Sequence, residues 1–341
     1  MPLIRPDLPP TSLLNTDGSP QFGVYRAPFP EVDLDRAKVP GWLGPLSLWR
    51  RKEWHHYAIV SPELFVTLAV VEARYLQTAW LQVVDRTTGE RFEHKRQAPT
   101  LGLSLARSLW DEHTLLRSRG FFLDAHAHLE SGEHRLKLSV AARGGLPPVR
   151  AELHLDARVE PLAVVLPVGR GRAMYSHKVP LPASGWVEVG DRKSALDPAH
   201  ATAILDIHKA HYPRHTWWKW ATFAGRAADG RRVAVNLTHN LNPREDQWTE
   251  NAVWIEDRVY RLGPASFQVG RRGTPWQLHT DDGLDLSFTP AGERAENLRL
   301  GLVRSVFRQP YGSFSGVIPS PEGPLALWEG FGLCEDHDAR W

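Results

Sequence analysis

Turn signals constrain this chain more than any other feature. In its second half, short apolar segments meet in pairs around compact turns: 217–224 and 231–237 flank Ala228-Asp229-Gly230, 252–256 and 259–262 flank Asp257-Arg258, and 275–279 and 284–288 flank Asp281-Asp282-Gly283. Asp and Gly at hairpin tips tolerate backbone conformations that other residues resist, so this succession predicts antiparallel sheet. The first half follows the same grammar. Residues 54–60 stop at Ser61-Pro62-Glu63 before 64–71, and 79–85 turn at Thr88-Gly89 and return through 91–94. Within 121–129, Leu123, Ala125, Ala127 and Leu129 share one face while Asp124, His126 and His128 share the other, the period of two that a half-buried strand requires. Gly144-Gly145 ends the next strand, and 149–157 and 159–165 continue the meander. Strands at this spacing point to barrels or sandwiches. Helix is scarce: residues 100–109 form the best candidate, with a turn near Pro198. Residues 1–40, rich in proline and poor in periodic apolar positions, read as an extended arm with little structure of its own. The stretch Val179-Pro180-Leu181-Pro182 reads as the seam between two β modules, 41–180 and 181–341.

Composition narrows the function. The 41 basic and 39 acidic residues nearly cancel, and the arginines are scattered rather than striped, which argues against nucleic acid as a partner. Only one cysteine, Cys334, is present, so no internal disulfide forms and a cytoplasmic location is expected. The N-terminus lacks a signal-like apolar core, and the longest apolar run, 64–71, is too short to span a bilayer. A soluble protein with no stable membrane insertion is therefore expected. Fourteen tryptophans stand against two methionines. Large indoles either fill a β core or line a cavity for a flat or greasy ligand.

No phosphate loop, dinucleotide-binding glycine fingerprint, zincin helix or nucleophile elbow occurs, so no cofactor is expected. The densest stretch runs from Leu205 to Trp220. Asp206 and His208 lie two apart in a strand-like context and share a face, as do Trp218 and Trp220 on the following strand. A carboxyl and an imidazole against an indole wall make an acid/base pair, because an apolar wall disfavours the carboxylate and raises its pKa. The same residues also fit a solvated rim of charges above packed tryptophans. His208-x-x-His211 and His126-x-His128 supply two possible ligands each without the companions of a zinc site, so no metal is expected. Of the adjacent His55 and His56, only one can face inward. Glu250-Asn251, after a loop containing Asn240, Asn242 and Asp246, either caps a turn or points with Asn236 into a barrel mouth. The terminal Trp341 suggests that the closing segment 335–341 is docked.

Trp218-Lys219-Trp220, the Asn236 strand, Glu250-Asn251-Ala252, Phe307-Arg308-Gln309-Pro310-Tyr311-Gly312 and the closing Glu335-Asp336-His337 to Arg340-Trp341 resemble domain-of-unknown-function family 2804 over nearly the whole chain. Met174-Tyr175-Ser176-His177 and Ser184-Gly185-Trp186-Val187-Glu188-Val189, followed by Asp206 and the Trp218-x-Trp220 strand, are similar to the carotenoid hydratases (hydroxyneurosporene synthases). This chain carries Asp206-Ile207-His208-Lys209 where those proteins have a His-x-Trp-Gly-like run. With the tocopherol cyclases, that resemblance implies an all-β fold of two lipocalin-like (calycin) barrels or strongly bent sheets sharing a site, and cofactor-free acid catalysis on an isoprenoid- or polyketide-like small molecule.

The expectation is thus a hydratase- or cyclase-like protein with a hydrophobic small-molecule partner. Asp206 is its general acid, aided by His208. Trp218 and Trp220 face developing positive charge, and Tyr175 and His177 orient substrate from the other barrel. Asn236, Glu250 and Asn251 complete the binding set. A non-catalytic carrier of a lipid-like ligand uses the same pocket without chemistry. A sugar-binding β protein requires coplanar indoles in an open groove, and a scaffold requires a large exposed apolar patch.

Overall fold

A computed structural model describes residues 3–37, 51–169, 172–239, 244–300 and 303–340, with the side chain of residue 300 left out of the description. Asn240, Asn242, Trp341 and the last residues of the expected arm, 38–40, lie outside the described residues. What is described is sheet, with one 3-10 turn, Leu34–Arg36, capped by the Asp33 carboxylate.

Two curled antiparallel sheets make the molecule. The first has 14 strands. One end of it is the meander Arg51–Val60, Leu64–Glu72, Gln77–Asp85 and Arg91–Ala98. The other end runs through Glu112–Ser118, Phe121–His128, Glu133–Val140 and Val149–Asp156. Ala173–Val189 and Thr202–His211 join these halves in the centre. The second sheet has nine strands, with His215–Ala227 paired to Leu325–Arg340 at its middle. Its three longest strands, Asp285–Leu300, Val303–Ile318 and Leu325–Arg340, break register at Pro290/Gly292 and Phe314/Gly316. Such bulges bend and twist long strands and let the sheet curl.

Burial shows how the sheets meet. The outer strands of the first sheet alternate strictly, as in Glu133–Val140, because one face packs inward and the other meets water. Arg51–Val60, Leu64–Glu72 and Thr202–His211 are instead buried on both faces over most of their length. One face packs on the core around Leu123, Leu136 and Leu205, and the other looks toward the second sheet. Two-sided burial removes alternation from the sequence.

Three expectations change. The helix at 100–109 is absent. Gly102 takes φ +75°, the Gln77 side chain binds the N–H of Leu101, and Thr114 and Glu112 bind those of Ala106 and Arg107. The backbone donors that a helix would use are thus held from outside. The proline seam at 179–182 lies inside the continuous strand Ala173–Val189, where it pairs with Thr202–His211. Its prolines are accommodated, and the chain passes from the first sheet to the second only around Tyr212–Arg214. The arm is built rather than bare. Gly23–Tyr25 pairs with Leu162–Pro167, Ile4 bridges Arg261 of the second sheet, and Leu13, Phe29 and Leu34 form a cluster with Tyr175.

Candidate functional site

A cavity of about 400 Å³ lies between the sheets, lined from both. Strand alternation builds its walls. On the first sheet, antiparallel register places Ala69, His56, Asp206 and Lys178 side by side in one cross-strand row, and Val71, Trp54 and His208 in the next. On the second, Trp220 is opposite Glu335 and Trp218 opposite His337, with Phe307 beyond. Ala73, Leu76, Leu298 and Val303 continue the lining away from these groups toward Tyr75, which is 36% exposed. The lining thus combines buried charged groups, aromatic rings and apolar side chains.

Asp206 does not behave as an acid against an apolar wall. Its carboxylate accepts from Lys178 Nζ at 2.5 Å and from Trp54 Nε1 at 3.3 Å. Burial, the largest single influence, pushes its pKa up, but the Lys178 charge and hydrogen bond together with the neighbouring His208 and His56 outweigh it and hold the carboxyl below its ordinary value. Lys178 stays charged for the reciprocal reason: desolvation lowers it, and Asp206 and Glu250 raise it further. The Lys178 ammonium also lies 5.2 Å from the Trp220 ring centroid and 4.0 Å from Glu250 Oε1.

The carboxyl raised most clearly is Glu335. Burial pushes it up to about 7, against the hydrogen bonds it accepts from Trp218 Nε1 at 2.7 Å and Gln309 Nε2 at 2.9 Å. Glu250 is also raised, by burial and by Asp206. The imidazoles are neutral: burial lowers His208 and His337 to about 3 and His56 to about 4. His208 Nε2 pairs with the Tyr212 hydroxyl at 2.8 Å, and His337 Nε2 with Ser305 Oγ at 2.8 Å. Trp54 stacks on His208 at 4.3 Å and lies 6.0 Å from Trp218, so aromatic faces bridge the two sheets.

Of the residues expected from sequence, Asp206, His208, Trp218, Trp220 and Glu250 come together in the cavity. Asn236 stands behind it, accepting from Trp220 Nε1 at 2.7 Å and donating to the Glu250 carbonyl at 2.7 Å, so it fixes the indole. Asn251 ties Thr238 N–H to the Gly263 carbonyl and does not line the cavity. Tyr175 and His177 do not line it either. They alternate with Ser176 and Lys178, which turns them to the opposite face of their strand, where Tyr175 packs on Phe29 of the arm. Of the adjacent pair, His56 lines the cavity, while His55 bonds Thr114 in the first-sheet interior. His208 and His211 diverge, the latter lying 3.7 Å from Asp35. Among the described residues no cluster of three or more His, Cys, Asp or Glu is placed to hold a metal ion, and no helix is long and apolar enough to cross a membrane. Sequence reasoning missed Lys178, Glu335, His337 and Trp54. The signal for two of them was present: Glu335-x-His337 repeats the carboxyl-x-imidazole spacing that singled out Asp206-x-His208.

Two curled antiparallel sheets closed over one aromatic cavity define a lipocalin-like β protein. The chain belongs to the family described as Domain of unknown function (DUF2804), whose profile matches residues 7–341. Among solved structures it is similar to kievitone hydratase from Nectria haematococca, at 15% identity over 98% of both chains with a TM-score of 0.47. It is also similar to CghA, in a crystal structure with Sch210972, at 11% identity over 98% of this chain and 97% of that one, with a TM-score of 0.52. At such identities the likeness is one of fold. No curated protein matches.

Proposed function

We propose that the cavity is an active site that protonates an electron-rich double bond of an apolar isoprenoid- or polyketide-like molecule, with Glu335 as the general acid. One observation carries this reading: a carboxyl raised to about 7 sits among the indoles of Trp54, Trp218 and Trp220 in a cavity that apolar side chains also line. An acid poised near neutral pH holds its proton and can still give it up. Once the proton has left, the Trp218 and Gln309 donors stabilise the Glu335 carboxylate. Positive charge developing on the substrate meets the indole faces of Trp218, Trp220 and Trp54, a cation–π effect of about 0.5–2 kcal/mol each. Asp206, kept ionised by Lys178, is a fixed anion of the same wall and does not donate the proton. The similarity to carotenoid hydratases in the sequence accords with this chemistry.

The test is native mass spectrometry with organic extraction of the protein purified from its own host, followed by incubation of the extracted compound with wild type and Glu335→Gln. A greasy unsaturated ligand that wild type converts and Glu335→Gln only binds is the expected result. Equal conversion by both sinks the acid assignment. Binding without conversion by wild type establishes a carrier instead.

A further inference from the structure

We propose that His56 holds the water that attacks the protonated substrate and takes its proton, so that the reaction at this site is hydration of the double bond. The inference rests on the reading of Glu335 as proton donor and adds the nucleophile and the residue that serves it.

His56 and Glu250 are the buried polar cavity-lining side chains left without a hydrogen bond among the described residues; Glu250 has the Lys178 ammonium 4.0 Å away, whereas His56 has no ion pair among them. Asp206 is held by Lys178 and Trp54, Glu335 by Trp218 and Gln309, and His208 by Tyr212. Neither Nδ1 nor Nε2 of His56 has a hydrogen-bond partner among the described residues, although the residue is only 4% exposed. A buried polar group calls for a partner, and the cavity that His56 lines is where one can sit. The ring is fixed in place by Trp80, with centroids 5.6 Å apart, and by Trp220, 5.4 Å away and edge-on at 81°. The register neighbour on one side is Ala69, whose methyl group leaves room beside the imidazole.

The chemistry follows from placement. Burial keeps the ring neutral at ordinary pH, so one nitrogen carries a proton and the other a lone pair. Asp206 lies opposite His56 in the strand register and favours the protonated ring electrostatically. Trp220 is shared: it touches His56 and pairs in register with Glu335. A double bond lying against Trp220 therefore has the acid and the imidazole as neighbours. In the forward step the Glu335 proton goes to one alkene carbon, and the π pair forms the C–H bond. A water lone pair then forms the C–O bond at the cationic carbon, and His56 takes a proton from the resulting oxonium. Return of that proton to the Glu335 carboxylate restores both groups, so the net change is alkene plus water to alcohol.

Two measurements test this. An atomic-resolution crystal structure of the full chain should show an ordered water hydrogen-bonded to a His56 ring nitrogen on the cavity side, absent from His56→Phe. A His56 ring satisfied by protein groups, with no such water, overturns the proposal. The second measurement uses farnesol, an acyclic isoprenoid alcohol with trisubstituted double bonds, in deuterium oxide and separately in heavy-oxygen water. Wild type should form a heavy-oxygen-labelled alcohol. His56→Phe should lose alcohol formation by about 100-fold while still placing deuterium in recovered farnesol, and His56→Gln, which can hold a water without acting as a base, should fall between them. Alcohol formation at the wild-type rate by His56→Phe overturns the proposal. Glu335→Gln should lose both labels. A wild type that incorporates neither label counts against the Glu335 reading on this substrate, and the crystal structure still decides the water site by itself.

Discussion

Glu335 owes its acidity to a contest between burial, which favours the neutral carboxyl, and two hydrogen bonds, which favour the anion. Replacing Gln309 by Leu removes one donor to that anion. Hydrogen bonds to charged groups contribute about 1.5–3 kcal/mol, so the alkaline limb of a kcat/KM–pH profile should move up by about one to two units. The wild-type limb is expected near 7, with activity falling as pH rises because the protonated form is the reactive one. Glu335→Gln keeps the shape and loses the proton, and should cost about 100- to 10,000-fold in kcat/KM. An acid limb near 4 is expected from His56, whose surroundings include Asp206, Lys178 and Arg294. At this scale the sequence displayed residue types and parity but not pairing. That Asp206 and His208 share a face follows from a spacing of two. That Lys178, 28 positions away, neutralises Asp206 depends on which strands become neighbours, and local spacing is silent on that. For the same reason Tyr175 and His177 carried a role by resemblance, whereas their strand presents Lys178 to the cavity.

Strand pairing turns these residues into a site, and two substitutions probe it. Lys178→Met leaves the buried Asp206 carboxylate without its partner, which should cost about 3–5 kcal/mol in urea denaturation. The double variant Lys178→Met/Asp206→Asn should recover most of that loss. If Lys178→Met alone is neutral, the ion pair is not what holds Asp206 ionised. Gly225→Ala probes the seam of the second sheet, because a Cβ there would lie 1.9 Å from the Glu329 carbonyl oxygen across the pair of strands that carries Trp218 and Glu335. Overpacking of this kind costs about 1–3 kcal/mol, and the backbone obstacle places it at the upper end. Hairpin tips were legible because their signals are local: Gly230 and Gly283 sit at φ +88° and +96° at the turns where the sequence placed them. The false helix at 100–109 and the false seam at 179–182 share a cause. Both segments are governed by distant partners, Gln77 and Thr114 in one case and Thr202–His211 in the other.

Across the whole molecule, seven buried histidines, His55, His56, His134, His177, His208, His211 and His337, have pKa values lowered chiefly by desolvation. In the unfolded chain they titrate near 6.5, so below that pH the unfolded state binds more protons than the folded one. Stability is then lost as pH falls from about 6.5 toward 4, each group contributing up to about 1.4 kcal/mol per pH unit. Glu335 and Glu250 act in the opposite sense: with folded pKa values raised, their contribution is present below about 4.5 and fades as pH rises. Histidines outnumber these carboxyls, so circular dichroism should show cooperative acid unfolding well above pH 3, accompanied by net proton uptake. Unfolding without proton uptake would contradict the burial of this set. The antiparallel class and the aromatic interior were legible because they rest on alternation and on fourteen tryptophans. The position of the cavity was not, because it arises where strands buried on both faces meet a second sheet, and two-sided burial erases the pattern that marks an inside.

The most direct measurement is infrared difference spectroscopy of the protonated carboxyl C=O stretch over a pH titration, with Glu335→Gln subtracted from wild type. A buried carboxylic-acid band that disappears with a midpoint near 7 and is missing from the variant is the expected result. A Glu335 band that titrates near 4.5, or no band at all, would mean that the cavity holds a carboxylate there at neutral pH and that the proton donor proposed for this protein does not exist.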